Sequence, residues 1–86
     1  MKHRANPKFW SFYKALPKDV RDLSDKNFQL LKRDPYHPSL HFKRVGRFWT
    51  ARVGLEYRVI AAQREQDIVW FWIGPHVEYK RLLRKK

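Results

Sequence analysis

Apolar positions in the first half of the chain recur with the period of amphipathic helices. In PKFWSFYKAL, residues 7–16, they are spaced three and four apart and fall on one helical face. In residues 17–34 the apolar side chains form one arc and the charged ones the other. Asn6-Pro7 is typical of a helix start, and Pro35 ends the second helix. The short connection predicts a helical hairpin. Its predicted core residues are Phe9, Phe12, Leu16, Val20, Leu23, Phe28 and Leu31.

The second half changes to the alternating pattern that is typical of strands. The predicted strands are residues 40–45, 47–53, 57–63 and 68–73, with turns near Gly46, Gly54 and Gln66-Asp67. Such short links permit only antiparallel neighbours, because a parallel crossover needs a dozen or more residues. The predicted fold class is therefore α+β, with the helical hairpin packed on a four-stranded antiparallel sheet. Residues 77–86 are expected to form a short basic helix or a tail.

Composition indicates a folded and strongly basic domain. The chain has 86 residues, so residues 1–86 are expected to form a single domain with a modest core. Hydrophobic residues make up 43% and aromatic residues 16%, which is too many for a disordered chain. The formal charge of +12 favours a polyanionic partner. Nucleic acid is the first candidate for this partner, and an acidic protein is the second.

Several other classes of protein are disfavoured. The chain has no cysteine, and the longest apolar run, residues 68–73, is far shorter than a membrane span. A cytoplasmic protein without a membrane segment is therefore expected. His37 and His41 are separated by Pro38 and lack a carboxylate cluster, so neither a metal nor a cofactor is predicted. The sequence also has no nucleophile elbow, P-loop or dinucleotide-binding glycine motif.

Candidate chemistry is concentrated near the ends of the predicted third and fourth strands. Arg58 is expected on the sheet face that the helices leave uncovered, since it alternates with Tyr57. His76 follows the end of the fourth strand, and its imidazole suits proton transfer near neutral pH. Because these strands are antiparallel, the start of one lies beside the end of the other. We therefore expect the Arg58 and His76 side chains to lie close together, although each alone is more often an ordinary surface residue.

Three stretches in this order, DPYHPSLHFKRV, FWTARVGLEYRVI and IVWFWIGPHVEY, resemble the RelE/ParE superfamily of bacterial toxin-antitoxin toxins. The likeness covers residues 9–83. Its most specific parts are the YRV triplet that contains Arg58 and the IGPHVEY ending that contains His76 and Tyr79. The resemblance implies a helical hairpin on an antiparallel sheet. Many relatives begin with a strand, for which only residues 1–5 are available here, so a short or absent edge strand is expected.

The resemblance also implies roles for individual residues. RelE-like members cut mRNA, usually on the ribosome and without a metal, whereas ParE-like members poison DNA gyrase. By analogy with the RNases, Arg58 contacts the scissile phosphate, and His76 and Tyr79 complete the catalytic set. The residues that correspond to substrate-holding positions are Lys43, Arg44 and Arg52, and Trp72 or Tyr79 is a candidate for stacking on an unpaired base.

Two functional hypotheses follow. The first is a metal-independent endoribonuclease that is neutralised by a cognate acidic antitoxin. The second is a non-catalytic binding protein on the same fold, either a DNA gyrase inhibitor or an inactive relative that binds nucleic acid or a partner. The second gains weight because the strands carry few lysines. In either case the antitoxin is expected to cover aromatic surface at Trp49, Trp70 and Trp72, which are large for so small a core.

Overall fold

The computed structural model describes residues 2–84, in which one five-stranded sheet packs with three α-helices. The elements in chain order are β1 (Lys2–Ala5), α1 (Pro7–Lys14), α2 (Lys18–Arg33), a 3-10 turn (Pro38–Leu40), β2 (Lys43–Val45), β3 (Phe48–Val53), β4 (Tyr57–Arg64), β5 (Asp67–Pro75) and α3 (His76–Arg84). The predicted strand at residues 40–45 is thus shorter than expected, because Leu40 belongs to the 3-10 turn and the left-handed His41 follows it. The α3 helix confirms the helical alternative for residues 77–84, and Lys85 and Lys86 lie outside the described residues.

The helical hairpin forms where the apolar period predicts it. Asn6 caps α1, since its Oδ1 accepts a hydrogen bond from the Phe9 backbone N at 3.0 Å, and Pro7 occupies the first turn. The two helices are tied together by the Tyr13 hydroxyl, which donates to Asp25 Oδ1 at 2.8 Å. Among the helices of residues 2–84, none is long and apolar enough to cross a membrane.

The sheet has five strands in the order β1-β5-β4-β3-β2, and β1 runs parallel to β5. The predicted four-stranded antiparallel sheet is therefore wrong in its strand count and in one pairing. The reason is that β1 is only four residues long, KHRA, and too polar to show a strand pattern. Tertiary contacts hold it in place: the Asn6 backbone N donates to the Trp70 carbonyl at 3.1 Å, and Arg4 pairs with Asp67 at 3.3 Å. The short form of the expected edge strand is confirmed.

The core lies between the hairpin and one face of the sheet. Its buried members are Phe9, Leu31, Leu40, Phe42, Ala51, Val53, Val59, Ala61, Ile68, Trp70 and Ile73. The core prediction is confirmed for Phe9 and Leu31, while Leu16, Val20 and Phe28 are partly buried. It is wrong for Phe12 and Leu23, which are 38% and 37% exposed. Phe12 contacts Trp72, which lies in the part of β5 that follows the segment paired with β1. Leu23 lies against Gly54 in the β3–β4 turn.

The tryptophans of the sheet are better covered than the composition suggests. Trp70 is 1% and Trp72 8% exposed, and Trp49 is partly buried. Trp70 also has a polar partner, because its Nε1 donates to His3 Nδ1 at 3.2 Å. The expectation that an antitoxin is needed to cover these side chains is therefore wrong for Trp70 and Trp72. An 86-residue chain hides them because β1 and α1 both pack on β5.

Candidate functional site

Two arginines stand side by side on the sheet face opposite the hairpin. Arg52 on β3 pairs directly with Arg58 on β4, and Arg58 pairs in turn with Gly74 on β5. The neighbours of Arg52 along β3, Ala51 and Val53, belong to the buried core, so alternation directs Arg52 to the other face. The structure therefore confirms that Arg58 lies beside the end of the last strand, as the antiparallel arrangement requires.

These arginines line a polar depression of about 230 Å³. Its lining residues are His41, Lys43, Thr50, Ala51, Arg52, Arg58, His76 and Tyr79. Five of the seven residues singled out from the sequence thus come together, three as the candidate catalytic set and two as candidate substrate contacts. Carboxylates are absent from this lining, and within residues 2–84 no three histidine, aspartate or glutamate side chains form a metal-binding group. The site is suited to an anion.

Arg58 is held in place by its own strand and by α3. Its Nη1 donates to the Tyr57 carbonyl at 2.9 Å and to the Leu55 carbonyl at 3.3 Å. Its Cζ lies 5.9 Å from the centre of the Tyr79 ring. Partial burial, followed by the neighbouring Arg52, lowers the pKa of Arg58. Because a guanidinium has five N–H donors and stays protonated, the remaining donors of this crowded cation are available for an anion that relieves the repulsion.

His76 is fixed where β5 continues into α3. Its backbone N donates to the Glu56 carbonyl at 2.7 Å, and its ring stacks on Tyr79 with 6.0 Å between centroids and 24° between planes. Loss of hydration, then the charges of Arg58 and Lys80, lower the pKa of His76 below its ordinary value. The imidazole is therefore mainly neutral at pH 7, and it is able to accept a proton.

His41 also lines the depression, although its sequence context suggests it only as a candidate metal ligand. It is exposed and has a left-handed backbone with φ of 48°. Its two neighbours, Leu40 and Phe42, are only 1% and 7% exposed. The sequence did hold a signal for this position: His41 is two residues from Lys43, and apolar residues flank it on both sides, which is the pattern of a side chain turned away from the core.

Arg44 and Trp72 do not join the depression. Arg44 pairs across the sheet with Trp49, places its Cζ 6.0 Å from that ring, and donates from Nε to the Gly46 carbonyl at 3.2 Å. Trp72 is buried over Gly74, where an added Cβ would lie 2.5 Å from the indole Cζ2. Neither residue is therefore placed to bind nucleic acid in the depression, since Arg44 lies elsewhere and the Trp72 ring is already covered.

No family model matches the sequence, and no curated protein matches it. Solved structures do match: the archaeal RelE-RelB complex from Pyrococcus horikoshii OT3 contains a chain that is 18% identical, with a TM-score of 0.66 over 86% of this chain and 92% of that one. This protein has the RelE/ParE toxin fold. The RelB-RelE complex from Methanococcus jannaschii also matches, at 13% identity and a TM-score of 0.70 over 91% of this chain and 95% of that one. The YoeB/ParE toxin from Agrobacterium tumefaciens matches at 16% identity and a TM-score of 0.63 over 88% of this chain and 99% of that one.

The RelE/ParE fold confirms the family resemblance at the level of architecture. At identities of 13–18% the superposition establishes the course of the backbone and leaves the chemistry to the residues themselves. A function for this chain is therefore inferred from the residues that line the depression between β2 and α3.

Proposed function

We propose that this protein is a toxin of the RelE type, a metal-independent endoribonuclease that cleaves mRNA. The observation that supports it is the convergence of Arg52, Arg58 and His76 in one depression that has no carboxylate lining. A phosphodiester is the anion that suits paired guanidinium groups, since their N–H donors match phosphate oxygens in geometry and charge. The basic character of the whole chain adds steering toward RNA.

The proposed reaction is an internal transesterification of RNA. The ribose 2′-oxygen attacks the adjacent phosphorus, a new 2′-O–P bond forms, and the P–O5′ bond breaks. The products are a 2′,3′-cyclic phosphate and a 5′-hydroxyl. Negative charge builds on the nonbridging oxygens, where Arg58 and Arg52 stabilise it. His76 takes the proton from the 2′-hydroxyl, because its lowered pKa keeps the imidazole neutral.

The other lining residues hold the substrate and the base in position. Tyr79 packs between the two central groups, with its ring against both His76 and Arg58, so it orients the imidazole. Lys43 pairs with the buried Thr50 on β3 and adds a cation at the β2 side of the depression. An RNA strand that crosses from α3 to β2 would therefore meet positive charge along its path.

A cognate acidic antitoxin is the proposed regulator, and ribosome-bound mRNA in the cytoplasm is the proposed substrate. The net charge of +12 supports an acidic partner, and two structurally similar proteins were solved as RelE-RelB complexes. Electrostatic attraction would make the association weaken with salt. Co-purification of an acidic neighbouring gene product at low ionic strength, and its loss at high ionic strength, is the expected result.

The alternative is a non-catalytic protein that uses the same cationic face for binding. Its support is that the YoeB/ParE toxin from Agrobacterium tumefaciens shares this fold, so the architecture alone does not distinguish an RNase from a gyrase inhibitor. A third possibility within this class is an inactive relative that binds nucleic acid or a protein without cleaving anything.

Inducible expression combined with mapping of mRNA 5′ ends separates these functions. We expect new 5′-hydroxyl ends in mRNA, with the purified protein tested on RNA with and without ribosomes to locate the reaction. A supercoiling assay with DNA gyrase should show no inhibition. Intact mRNA with inhibited gyrase would establish the alternative, and intact mRNA with unaffected gyrase would point to the inactive relative.

A further inference from the structure

The proposed cleavage needs a second proton-transfer group in a particular place. When the 2′-oxygen attacks, the leaving 5′-oxygen departs from the opposite side of the phosphorus, because the attacking and leaving oxygens lie roughly in line. A general base and a general acid therefore flank the phosphate on opposite sides. With His76 as the base, the acid must lie across the two arginines from α3.

Strand pairing locates the two sides of the depression. On one side, Gly74 of β5 is level with Arg58, and His76 follows two residues later. On the other side, Lys43 of β2 pairs with Thr50 of β3. His41 precedes Lys43 by two residues, and since these strands are antiparallel this step runs toward Arg52 on β3. The paired Arg52 and Arg58 thus separate His41 from His76.

His41 is also held rigidly enough to act at a fixed point. Its left-handed backbone, with φ of 48°, is uncommon for a residue other than glycine. The buried side chains of Leu40 and Phe42 hold this conformation from both sides. Backbone conformations of this kind persist where the surrounding packing enforces them, and they are concentrated at functional sites.

The remaining candidates for the acid fit this side of the phosphate less well. Tyr79 stacks on His76 at 6.0 Å between centroids, so it shares the side of the base. Lys43 and the arginines are cations whose role is to hold the phosphate charge. Thr50 is 2% exposed and has a hydroxyl that does not ionise near neutral pH. An imidazole, by contrast, carries and releases a proton in this range.

We propose that His41 is the general acid of this site, a role that rests on the proposed endoribonuclease function. The protonated ring of His41 donates its proton to the 5′-oxygen as the P–O5′ bond breaks, while His76 holds the proton taken from the 2′-hydroxyl. Each turnover leaves His41 one proton short and His76 one proton rich. Exchange with water restores both rings, so no metal or further reactant is consumed.

Leaving-group substitution tests this role directly. Single-turnover cleavage is measured with an RNA whose scissile bond has the normal 5′-oxygen and with one that has a bridging 5′-sulfur, which departs as a thiolate and needs no acid because thiols are far more acidic than alcohols. The variant is His41→Asn, since asparagine tolerates the left-handed backbone and cannot donate as an acid. We expect it to cleave the oxygen substrate about 100-fold to 10,000-fold more slowly and the sulfur substrate at the wild-type rate.

The base variant provides the matched control. His76→Ala should slow both substrates, because the 2′-hydroxyl must lose its proton in each. Equal losses for His41→Asn on both substrates, or no loss on either, would overturn the assignment of His41 as the acid. If the wild-type protein cleaves neither substrate, with or without ribosomes, the endoribonuclease function itself fails, and the role of His41 fails with it. Thermal unfolding of each variant confirms that folded protein was compared.

Discussion

Near the β3–β4 turn, the two faces of the central sheet are made by the same strands and have opposite chemistry. Toward the hairpin, β3 and β4 present small and branched apolar side chains such as Val53 and Val59, which are 3% and 8% exposed. Toward the other side, the alternate positions carry Arg52 and Arg58. The hairpin face stabilises the folded state because its apolar side chains are removed from water. The other holds two like charges together, which costs free energy until an anion binds.

This contrast indicates that stability and activity are separated by a single step along a strand. Val53 and Val59 on the hairpin face contribute packing, and the residues that precede them, Arg52 and Arg58, contribute charge to the depression. Substitutions on the first face should therefore change the free energy of unfolding, and substitutions on the second should change the rate of cleavage. Proteins commonly carry such destabilising polar clusters at the sites where they act.

The largest expected effect is on stability, at the centre of the hairpin face. Trp70→Ala should lower the free energy of unfolding by about 3–5 kcal/mol, because it removes a large buried side chain. Trp70 is 1% exposed, whereas Trp10 on α1 is 42% exposed, so Trp10→Ala is the matched control and should cost much less. Urea denaturation of both variants measures the difference. Similar losses for the two would contradict the assignment of the core.

Next in size is the loss of activity on the opposite face. Arg58→Ala should reduce cleavage by a factor of about 100 to 1,000, or about 2.7–4 kcal/mol of transition-state stabilisation. Its melting temperature should not fall, since removing one of two adjacent cations relieves repulsion. Arg64→Ala is the control, because Arg64 is exposed at the other end of β4. Full cleavage by folded Arg58→Ala would remove Arg58 from the mechanism.

A smaller effect is expected where the two faces constrain each other at β5. Gly74→Ala should destabilise the protein by about 1–3 kcal/mol, the usual cost of overpacking, because the new Cβ would lie 2.5 Å from Trp72 Cζ2. The double variant with Trp72→Leu should recover part of that loss. A double-mutant cycle in denaturant measures the coupling. Additive effects would show that the indole does not fill the space over Gly74.

The pH dependence of cleavage should report His76. A general base works when neutral, and the pKa of His76 is lowered from 6.5, so the rate should rise with pH through a midpoint below 6.5 and then level off. Lys80 is one of the cations that lower this pKa. Lys80→Gln should therefore move the rise to higher pH without changing the plateau. A rise that is unaffected by Lys80→Gln and retained in His76→Ala would belong to another group.

The smallest expected effect is on stability in mild acid. Burial, followed by nearby positive charge, lowers the pKa of His3, and its Nδ1 accepts the Trp70 indole N–H at 3.2 Å. The unfolded chain therefore binds the proton more readily than the folded one. This contribution is fully present above pH 6.5 and is lost as pH falls through 6.5 toward the lower folded pKa. In His3→Gln, which keeps an acceptor, melting temperature should fall less between neutral and mildly acidic pH.

Much of the fold was predictable because local patterns and tertiary structure agree. The α2 helix has apolar positions on one arc and ends just before Pro35, and β4 and β5 are apolar segments bounded by clear turns. The sequence could not reveal β1, since its four residues have no apolar pattern and are stabilised by pairing with β5. Burial of Phe12 was misjudged because the period defines a helix face without showing how far the sheet extends beneath it.

The site was predictable where it depends on strand direction. Arg58 and His76 come together because consecutive antiparallel strands place their ends side by side. Alternation also explains why Arg44 lies apart from Lys43, because adjacent strand residues face opposite sides of a sheet. His41 was harder to recognise, since its direction depends on a left-handed residue between two buried neighbours, and no single-residue preference specifies that conformation.

The parallel pairing of β1 with β5 has a consequence for the order of folding. It joins Lys2 to Asp67, so the sheet cannot close until the chain has been synthesised beyond Asp67. Contacts so distant in sequence make folding slow, because a long loop must close before they form. The His76 and Tyr79 side chains arrive later still, at the start of the last helix. A nascent chain that has not yet been extended through α3 therefore lacks a complete depression, and the site forms only after that helix has been synthesised.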